Sequence, residues 1–367
     1  MINSEKLVVL VVIARLNKGG TARFIENLYT TVNSNEINIQ IASGNVQKGE
    51  IEDTCVSRIP VKKLKYLGRN ISFVGDLRAY FELWSLIRNL KPDIVYSHTF
   101  KAGILSRLIP DRIVRIHAYH GHHLKTPGIG KLKRFLWITA ESILARRTRY
   151  LVTTGKTVAN DLLDVKIGKA SQYISINPYV KEFELVDKKY ALSSLGLTDD
   201  QRVKILWMGR FVPVKRPETI IRLANTFGNY LFLVAGEGEF KFNLSDIRYD
   251  NVKFLGWQDP NLLLAIADIF ISTSANEGLP NSLIEASLAA LPIVATNVGS
   301  VAEIVIDGEN GYLTKDIDEK FTEYLKILAE SPSLRIRLGK ESRRSALKKF
   351  GPEQFARDHI NIFKLTR

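Results

Sequence analysis

The sequence predicts an α/β protein of two Rossmann-like, doubly wound domains that face each other across a cleft. The chain has 367 residues, which is more than one ordinary domain needs. Short apolar runs alternate with amphipathic stretches, as in parallel α/β proteins. The alternation starts again in the second half. We therefore expect an N-terminal domain over 1–180 and a C-terminal domain over 181–367, and leave open whether the last helix packs back on the first domain.

The first half supplies five candidate strands. The run at 7–14 is apolar throughout, as in a strand that is buried on both faces. Further strands are expected at 37–42, 93–98, 112–120 and 150–155. An amphipathic stretch at 76–90 predicts a helix that ends before Pro92.

The second half repeats this pattern after a polar stretch at 177–190, where we place the domain boundary. Strands are expected at 203–209, 230–236, 268–273 and 292–297. Helices fit between them, notably at 217–227 and 281–291.

Composition limits the class of protein. Hydrophobic residues make up 45% of the chain and charged residues 25%, as in a folded soluble protein. A lone cysteine, Cys55, excludes an internal disulfide and predicts an inert thiol in a reducing compartment. The net charge of +14 favours anionic partners, although a merely solvated basic surface explains it equally.

The N-terminal apolar run has no features of a signal peptide or an anchor. It is too short to span a bilayer, and no small-residue cleavage site follows it. We therefore expect a cytoplasmic protein and leave open its peripheral attachment to the inner face of the plasma membrane.

Two glutamates on one strand–helix connection form the most informative motif. Glu277 lies in the loop, and Glu285 follows in the helix with seven residues between them. Pro280 suits the first turn of that helix, where a missing N–H costs nothing. Taken alone, either glutamate is better explained by helix capping or by a surface position. Together with the neighbouring glycine and proline they indicate a binding site.

The start of this helix is expected to bind phosphate. Free backbone N–H groups near Asn281 and Ser282 would point toward the cleft, and a helix N-terminus attracts anions through these donors and its dipole. Carboxylates accept hydrogen bonds from sugar hydroxyls. A phosphate site with a carboxylate on each side therefore predicts a pocket for a sugar–diphosphate–ribose chain.

A basic element near 203–218 supports this interpretation. Gly209 follows a predicted strand, and Arg210 and Lys215 come before the next helix. Two cations at a strand end can neutralise a diphosphate as it leaves. We take the adjacent Arg216 as the surface member, and a solvated basic loop is the simpler alternative.

The chain resembles the GT-B retaining glycosyltransferases of the large family-four, or group 1, type, including enzymes of bacterial surface polysaccharides. The resemblance rests on the E-x(7)-E signature, on the G-R-x(4)-K element and on a glycine pair, Gly19 and Gly20, after the first strand. It extends over almost the whole chain. This chain reads GGTAR where the family often reads GGxER, so the acidic position is lost.

The resemblance implies a role for each matching residue. Glu277 would contact the transferred sugar, Glu285 the ribose, and Arg210 and Lys215 the diphosphate. The residues it implies for donor binding are Gly19, Gly20, Gly209, Trp257, Gly278, Leu279, Asn281, Ser282 and Glu285. Trp257 lies in the loop 255–260 that would meet the base, where packing of the loop is an alternative role.

Most histidines lie in the first half, in and before the stretch RIHAYHGHHL. The resemblance places His120, at a strand end before a glycine, near the transferred sugar, and it completes the implied catalytic set of His120, Arg210, Lys215 and Glu277. His98 ends the preceding strand and is expected to face the acceptor. His117 and His122 can be structural. Although the spacings permit a metal, no acidic or cysteine partner is near, and we expect none.

The implied reaction moves a sugar from a nucleotide-diphosphate sugar to a hydroxyl of a glycan or lipid-linked acceptor, with retention. The protein's own cations would stabilise the leaving diphosphate, so neither a cofactor nor a metal is expected. Uridine diphosphate is the expected carrier. Basic stretches with apolar and aromatic residues at 58–69 and 131–150 suit an anionic membrane surface as well as they suit packing on the sheet.

Other functions fit less well. A sugar-nucleotide epimerase on the same fold is the main alternative. A phosphorylase would need a pyridoxal-bearing lysine and a longer chain, and a two-lobed solute receptor would need a signal peptide. Nucleic-acid binding is not expected, because the basic residues are not interleaved with a platform of aromatic residues.

Overall fold

The computed structural model describes residues 6–70, 72–121, 130–182, 184–242, 246 and 250–366. They form two compact units. The first unit contains residues 6–121, 130–179 and 352–366, and the second contains 180–351, leaving out the undescribed positions. The division falls between Tyr179 and Val180, beside the predicted boundary.

A parallel seven-stranded sheet forms the centre of the first unit, in the order β3-β2-β1-β4-β5-β6-β7. Its strands are β1 Leu7–Ile13, β2 Ile37–Ser43, β3 Val61–Lys63, β4 Ile94–His98, β5 Val114–Tyr119, β6 Tyr150–Thr153 and β7 Tyr173–Ser175. The apolar run at the N-terminus is β1, an inner strand that pairs with β2 and β4 and is buried on both faces, as predicted. The three-residue edge strands β3 and β7 are too short to be recognised from periodicity.

Helices cover both faces of this sheet. They are α1 Gly20–Val32, α2 Cys55–Arg58, α3 Phe73–Leu90, α4 Phe100–Leu108, α5 Lys131–Ala145 and α6 Lys156–Asp164, with a 3₁₀ turn at Ala170–Gln172. The helices α1 and α2 pack on one face, and α3 and α4 pack on the other. Cys55 is fully buried, and burial raises the pKa of its thiol to about 12.

Helix α3 begins before the predicted residue 76. The Ser72 hydroxyl accepts the Gly75 N–H at 3.3 Å, and the Asp76 carboxylate accepts the Ser72 N–H at 3.2 Å. This reciprocal cap fixes the helix start. Phe73 and Val74, inside the first turn, are exposed, so they lie outside the buried side of this helix.

The second unit has a parallel six-stranded sheet in the order β10-β9-β8-β11-β12-β13. Its strands are β8 Lys204–Met208, β9 Leu231–Ala235, β10 Val252–Gly256, β11 Ile269–Ser272, β12 Ile293–Thr296 and β13 Gly311–Thr314. All four predicted strands are present. The outer strands β10 and β13 were not predicted.

The second unit contains six helices among the described residues, with 3₁₀ turns at Pro213–Lys215 and Val301–Glu303. These helices are α7 Lys188–Ser194, α8 Thr219–Thr226, α9 Pro260–Ile266, α10 Asn281–Leu288, α11 Glu319–Glu330 and α12 Pro332–Lys349. The last helix of the chain, α13 Pro352–Lys364, belongs to the first unit. There it packs on α1, with the Phe24 and Phe355 rings 5.1 Å apart.

Candidate functional site

The connection between β11 and α10 holds the glutamate motif. Pro280 occupies the cap position before Asn281, and its carbonyl accepts the N–H groups of Leu283 and Ile284 at 3.1 and 3.4 Å. The first amides of a helix have no carbonyl partner inside the helix. The sequence therefore places a helix start directly after the loop of Glu277.

Glu277 and Lys215 form an ion pair, although 61 residues separate them along the chain. The Glu277 carboxylate also accepts the Ser274 hydroxyl at 2.6 Å. The side chains of Glu277 and Lys215 are only 10% and 20% exposed. The structure thus brings two predicted site residues into direct contact in a partly desolvated position, where opposite charges interact more strongly than in water.

A relay of hydrogen bonds fixes the loop of Lys215 against the end of β11. The Trp207 indole N–H donates to the Thr273 hydroxyl at 3.0 Å, and this hydroxyl donates to the Lys215 carbonyl at 2.8 Å. The Ala275 N–H donates to the Val214 carbonyl at 2.8 Å. The loops after β8 and β11 are therefore held together at the same edge of the sheet.

The prediction that Arg216 is a surface residue is wrong. Its guanidinium donates to the carbonyls of Thr273 and Ser274 at 2.7 and 3.2 Å and pairs with Asp316 at 2.6 Å. The Ile317 amide and the Arg216 guanidinium together hold the pKa of Asp316 below its usual value. Arg216 is half-buried, and its contacts connect its own loop with the loop after β11 and with Asp316 after β13. The neighbouring cations Lys215 and Arg216 therefore have different environments.

A glycine loop after β9 lies beside Gly209, and sequence reasoning did not single it out. Gly236 has a φ of +136°, and a Cβ there would overlap the Gly209 carbonyl oxygen. A Cβ on Gly238 would overlap the carbonyl of Phe211, whose N–H donates to the Glu237 carbonyl at 2.8 Å. The signal was available in the sequence as G-E-G, which begins at the last residue of the strand predicted at 230–236.

The backbone of the Glu277 loop is enclosed by a second unpredicted glycine. Gly299 has a φ of +55°, and a Cβ there would overlap the Glu277 carbonyl. The Ser300 N–H donates to the carbonyl of Gly278 at 3.0 Å. The turn after β12 therefore fixes the backbone conformation of this loop.

The remaining predicted residues of the second unit have distinct environments. Leu279 is buried in the hydrophobic core, so only its backbone is available to a ligand. Glu285 is also buried, inside α10. Arg210 is exposed, directly after Gly209, and Trp257 is half-buried, directly after β10. Asn281 and Ser282 are half-buried at the first two positions of α10.

In the first unit the glycine pair forms the start of α1. Gly19 is the cap residue, with a φ of +151° and a ψ of −176°, and Gly20 is the first helical residue. No atom lies within 4 Å of a Cβ built on Gly19. Glycine at this position is therefore required by its backbone conformation, not by crowding.

His98 and His120 form a contacting pair at the ends of β4 and β5. His98 Nδ1 lies 2.9 Å from His120 Nε2, and the edge of the Phe24 ring contacts His120, with centroids 4.7 Å apart. The His98 side chain is fully buried, whereas His120 is half-buried. The prediction that His98 faces the acceptor is therefore wrong, because His98 lies beneath His120.

The hydrogen-bond network favours one tautomer for this pair. His98 Nε2 is buried and has no partner among the described residues. A buried N–H without an acceptor is rarer than an unused acceptor, so the proton of neutral His98 belongs on Nδ1. His98 then donates to His120 Nε2, and neutral His120 carries its own proton on Nδ1. Burial lowers the pKa of His120 to about 4, so this ring is neutral at pH 7.

His359 of α13 extends the buried group beneath His98. Its Nδ1 donates to the Phe355 carbonyl at 2.9 Å, which leaves Nε2 as an acceptor facing the Tyr96 hydroxyl at 3.5 Å. The Tyr96 and His98 rings have centroids 4.3 Å apart. Helix α13 therefore contributes a side chain to the buried group that packs against the His98–His120 pair.

Among the described residues, His117 does not join this pair. His117 is buried and lies 2.9 Å from the Ser97 hydroxyl, as expected for a structural residue. His122 and His123 lie outside the described residues. In the described part of the chain, no group of three or more His, Cys, Asp or Glu side chains is arranged to hold a metal ion.

The two basic stretches differ in their exposure. Within 58–69 the aliphatic residues Ile59, Leu64 and Leu67 are buried, whereas the aromatic Tyr66 is exposed. By contrast, 131–150 begins with α5, whose residues 131–136 are all exposed. Within the described ranges, no helix is both long enough and apolar enough to cross a membrane.

The fold and the strand-end loops define a two-domain α/β protein of the glycosyltransferase type. The family description "Glycosyltransferase Family 4" matches residues 18–172, and "Glycosyl transferases group 1" matches residues 194–345. The chain belongs to this glycosyltransferase family, and the GT-B fold that was expected from the resemblance is confirmed.

Two bacterial glycosyltransferases are among the similar proteins. The chain is 26% identical to an Escherichia coli UDP-Gal:alpha-D-GlcNAc-diphosphoundecaprenol alpha-1,3-galactosyltransferase, over 71% of this chain and 73% of that protein. It is 24% identical to the Staphylococcus aureus capsular polysaccharide biosynthesis glycosyltransferase CapM, over 85% and 86%.

Solved structures share the fold at low sequence identity. Anabaena HepE in complex with UDP superposes with a TM-score of 0.80 at 16% identity, covering 98% of this chain and all of HepE. Sucrose-phosphate synthase from Thermosynechococcus elongatus gives a TM-score of 0.82, also at 16% identity, covering 98% of this chain and 99% of the synthase.

Proposed function

We propose that this protein transfers a hexose or N-acetylhexosamine from a UDP-sugar to a hydroxyl of a glycan or lipid-linked acceptor, with retention, in bacterial polysaccharide or glycolipid synthesis. The observation that carries the proposal is the Lys215–Glu277 ion pair beside the start of α10. The group 1 family match spans both residues. The UDP-utilising galactosyltransferase and the UDP complex of HepE support the choice of nucleotide.

In the proposed donor site, cationic groups of the protein bind the diphosphate and carboxylates bind the sugar hydroxyls. Arg210, Lys215 and the open amides at the start of α10 meet the diphosphate, and they stabilise negative charge on the β-phosphate as its bond to the sugar breaks. Glu277 accepts hydrogen bonds from hydroxyls of the transferred sugar, and Glu285 accepts hydrogen bonds from the ribose. Lys215 then exchanges part of its interaction with Glu277 for the phosphate oxygens.

The acceptor hydroxyl attacks the anomeric carbon from the face that the diphosphate leaves, so the configuration is kept. The leaving phosphate oxygen accepts the proton of that hydroxyl, which balances the step. His120 offers a neutral Nδ1–H to the transferred sugar and carries no charge that would oppose a cationic transition state. With protein cations at the diphosphate, we propose that the reaction needs no divalent metal.

A donor panel tests the proposal. UDP-galactose, UDP-glucose and their N-acetyl counterparts are each assayed for UDP release, with and without a polyprenyl-diphosphate-linked sugar, in the presence of EDTA. Release of UDP that depends on acceptor, with an α-linked product by NMR, is expected. A new sugar nucleotide formed without acceptor would instead identify an epimerase.

The nucleotide site has its own test. Glu285→Gln keeps the volume of this buried side chain but removes its charge, and we expect UDP affinity to fall at least tenfold by calorimetry. Glu309→Gln, at an exposed position in the same unit, is the control. Equal affinity in wild type and Glu285→Gln would contradict the ribose assignment.

A further inference from the structure

Two groups of exposed apolar residues stand out on the first unit. At the start of α3, Phe73 is 86% exposed, and Val74, Leu77 and Phe81 are also exposed. Their spacing of one, four and eight residues from Phe73 puts them on one side of the helix. Single exposed apolar residues are ordinary, but a cluster with two phenylalanines marks a contact surface.

The second group is at the start of α5. All residues from 131 to 136 are exposed, and Leu132 and Phe135 have 71% and 64% of their surface accessible. Lys131, Lys133 and Arg134 alternate with them, and the first turn contains no acidic residue. Hydrophobic side chains without a covering partner and basic side chains therefore occupy the same turns.

The start of α4 joins the two groups. Lys101, in its first turn, donates to the Asn70 carbonyl and pairs with Asp76 of α3. The Phe100 ring lies 6.3 Å from the Trp137 ring of α5. The helices α3, α4 and α5 therefore begin side by side, at the strand-end edge that also carries His120.

We define the helix-start surface as Phe73, Val74, Leu77, Leu132, Phe135 and Leu136. Its apolar residues project from two helix starts on either side of α4 instead of lining a groove, and cations interrupt them. A bilayer interface accepts such a surface, because headgroups meet the cations, acyl chains meet the apolar groups, and no shape complement is required. The net charge of +14 adds a long-range attraction to anionic lipid.

We propose that the helix-start surface docks on an anionic phospholipid bilayer, with Phe73, Leu132 and Phe135 inserted at headgroup depth. This proposal deepens the proposed function, on which it rests for its purpose: it keeps the strand-end edge of the first unit at the membrane, where a lipid-linked acceptor is located.

Vesicle co-sedimentation of the full chain tests the proposal. Vesicles of phosphatidylcholine with and without phosphatidylglycerol are compared at low and high salt. The apolar variant is Phe73→Ser/Phe135→Ser, and its control is Ile51→Ser/Ile336→Ser at exposed sites elsewhere. The charge variant is Lys133→Gln/Arg134→Gln, and its control is Arg337→Gln/Lys340→Gln, which changes the net charge equally.

We expect tight binding only with phosphatidylglycerol, weakened at least tenfold by either test variant and not by either control. UDP release with a water-soluble acceptor should not change in the test variants, which also reports their folding. Unchanged vesicle binding in both test variants would overturn the proposal.

A second outcome would also overturn it. If sedimentation velocity showed a wild-type dimer that the apolar variant dissociates, the surface would bind a second copy of the chain instead of a bilayer. A wild type that binds vesicles but releases no UDP from any donor would refute the proposed function alone.

Discussion

His98 Nδ1 lies 2.9 Å from His120 Nε2, and the imidazole of His98, the buried member of this pair, has no other hydrogen-bond partner among the described residues. His98 therefore acts on a substrate only through His120. Its contribution is to hold the outer ring in one orientation and in the tautomer with its proton on Nδ1. Such support is a positioning role, and it can be separated experimentally from a structural one.

The first prediction concerns this pair. His98→Phe fills the space but removes the donor, so His120 loses its fixed tautomer. We expect kcat to fall roughly tenfold, as for one hydrogen bond of about 1 to 1.5 kcal/mol, with little change in the KM for donor. His98→Gln restores an N–H donor and should recover much of the rate.

Nitrogen-15 NMR of the imidazole rings gives the readout that a purely structural role would not move. The wild type should show the proton of His120 on Nδ1, and His98→Phe should show a mixture of tautomers. The same single tautomer in both proteins would contradict the positioning role.

The second prediction concerns stability at acidic pH. Burial lowers the pKa of His359 to about 4, so the unfolded chain takes up the proton first as the pH falls below 6.5. The native state is therefore favoured above this value, and the free energy of unfolding should decrease between pH 6.5 and 4. For His359 alone the loss is about 2 kcal/mol at pH 5.

Urea denaturation of wild type and His359→Gln measures this term. Glutamine cannot titrate in this range, so the difference in stability between the two proteins should shrink by about 2 kcal/mol between pH 7 and pH 5. Carboxylates contribute equally to both proteins and cancel. A difference that does not vary with pH would show that His359 is protonated as readily in the native state as in the unfolded chain.

Most of the predicted strands are buried on both faces, although Gln40 of β2 is exposed. Ile94 and Ile293 lie in continuous apolar runs, because helices cover both sides of each sheet. The edge strand at Val61–Lys63 has three residues and mixed burial, so it leaves no such signal. Periodicity therefore identified the inner strands, whereas the short edge strands required the backbone pairing.

Site chemistry could be predicted where it depends on residue type and spacing along one connection. The spacing of Glu277 and Glu285 could be recognised because one loop and one helix carry both. The separate environments of Lys215 and Arg216 could not, because they depend on Thr273 and other carbonyls that the fold brings in from β11. The burial of His98 could not be predicted for the same reason. Whether a histidine at a strand end is exposed or buried depends on the side chains that the fold packs against it.

The third prediction concerns the Lys215–Glu277 pair. Lys215→Ala removes a cation expected at the leaving diphosphate, and we expect kcat to fall at least a hundredfold. Lys253→Ala, which removes an exposed cation paired with Asp250 in the same unit, should leave kcat unchanged. Initial rates of UDP release provide the measurement.

A double-mutant cycle with Glu277→Gln shows whether the two residues act together. Because the side chains are paired, the double variant should lose less activation free energy than the sum of the losses of the two single variants. Independent, additive losses would mean that the pair is only a structural contact. Wild-type rates in Lys215→Ala would contradict the donor-site assignment itself.

The fourth prediction compares two glycines that both have a positive φ but different surroundings. Gly236 and Gly308 have φ values of +136° and +76°. A Cβ on Gly236 would overlap the Gly209 carbonyl oxygen, whereas a Cβ on Gly308 would have no atom within 4 Å. Gly308→Ala should cost about 1 to 2 kcal/mol of unfolding free energy, from backbone strain alone. Gly236→Ala should cost more and should also weaken UDP binding, because it pushes apart the loops after β8 and β9. Equal stability losses, with UDP affinity unchanged in both variants, would show that the two loops are free to separate and that their close contact has no role in the donor site.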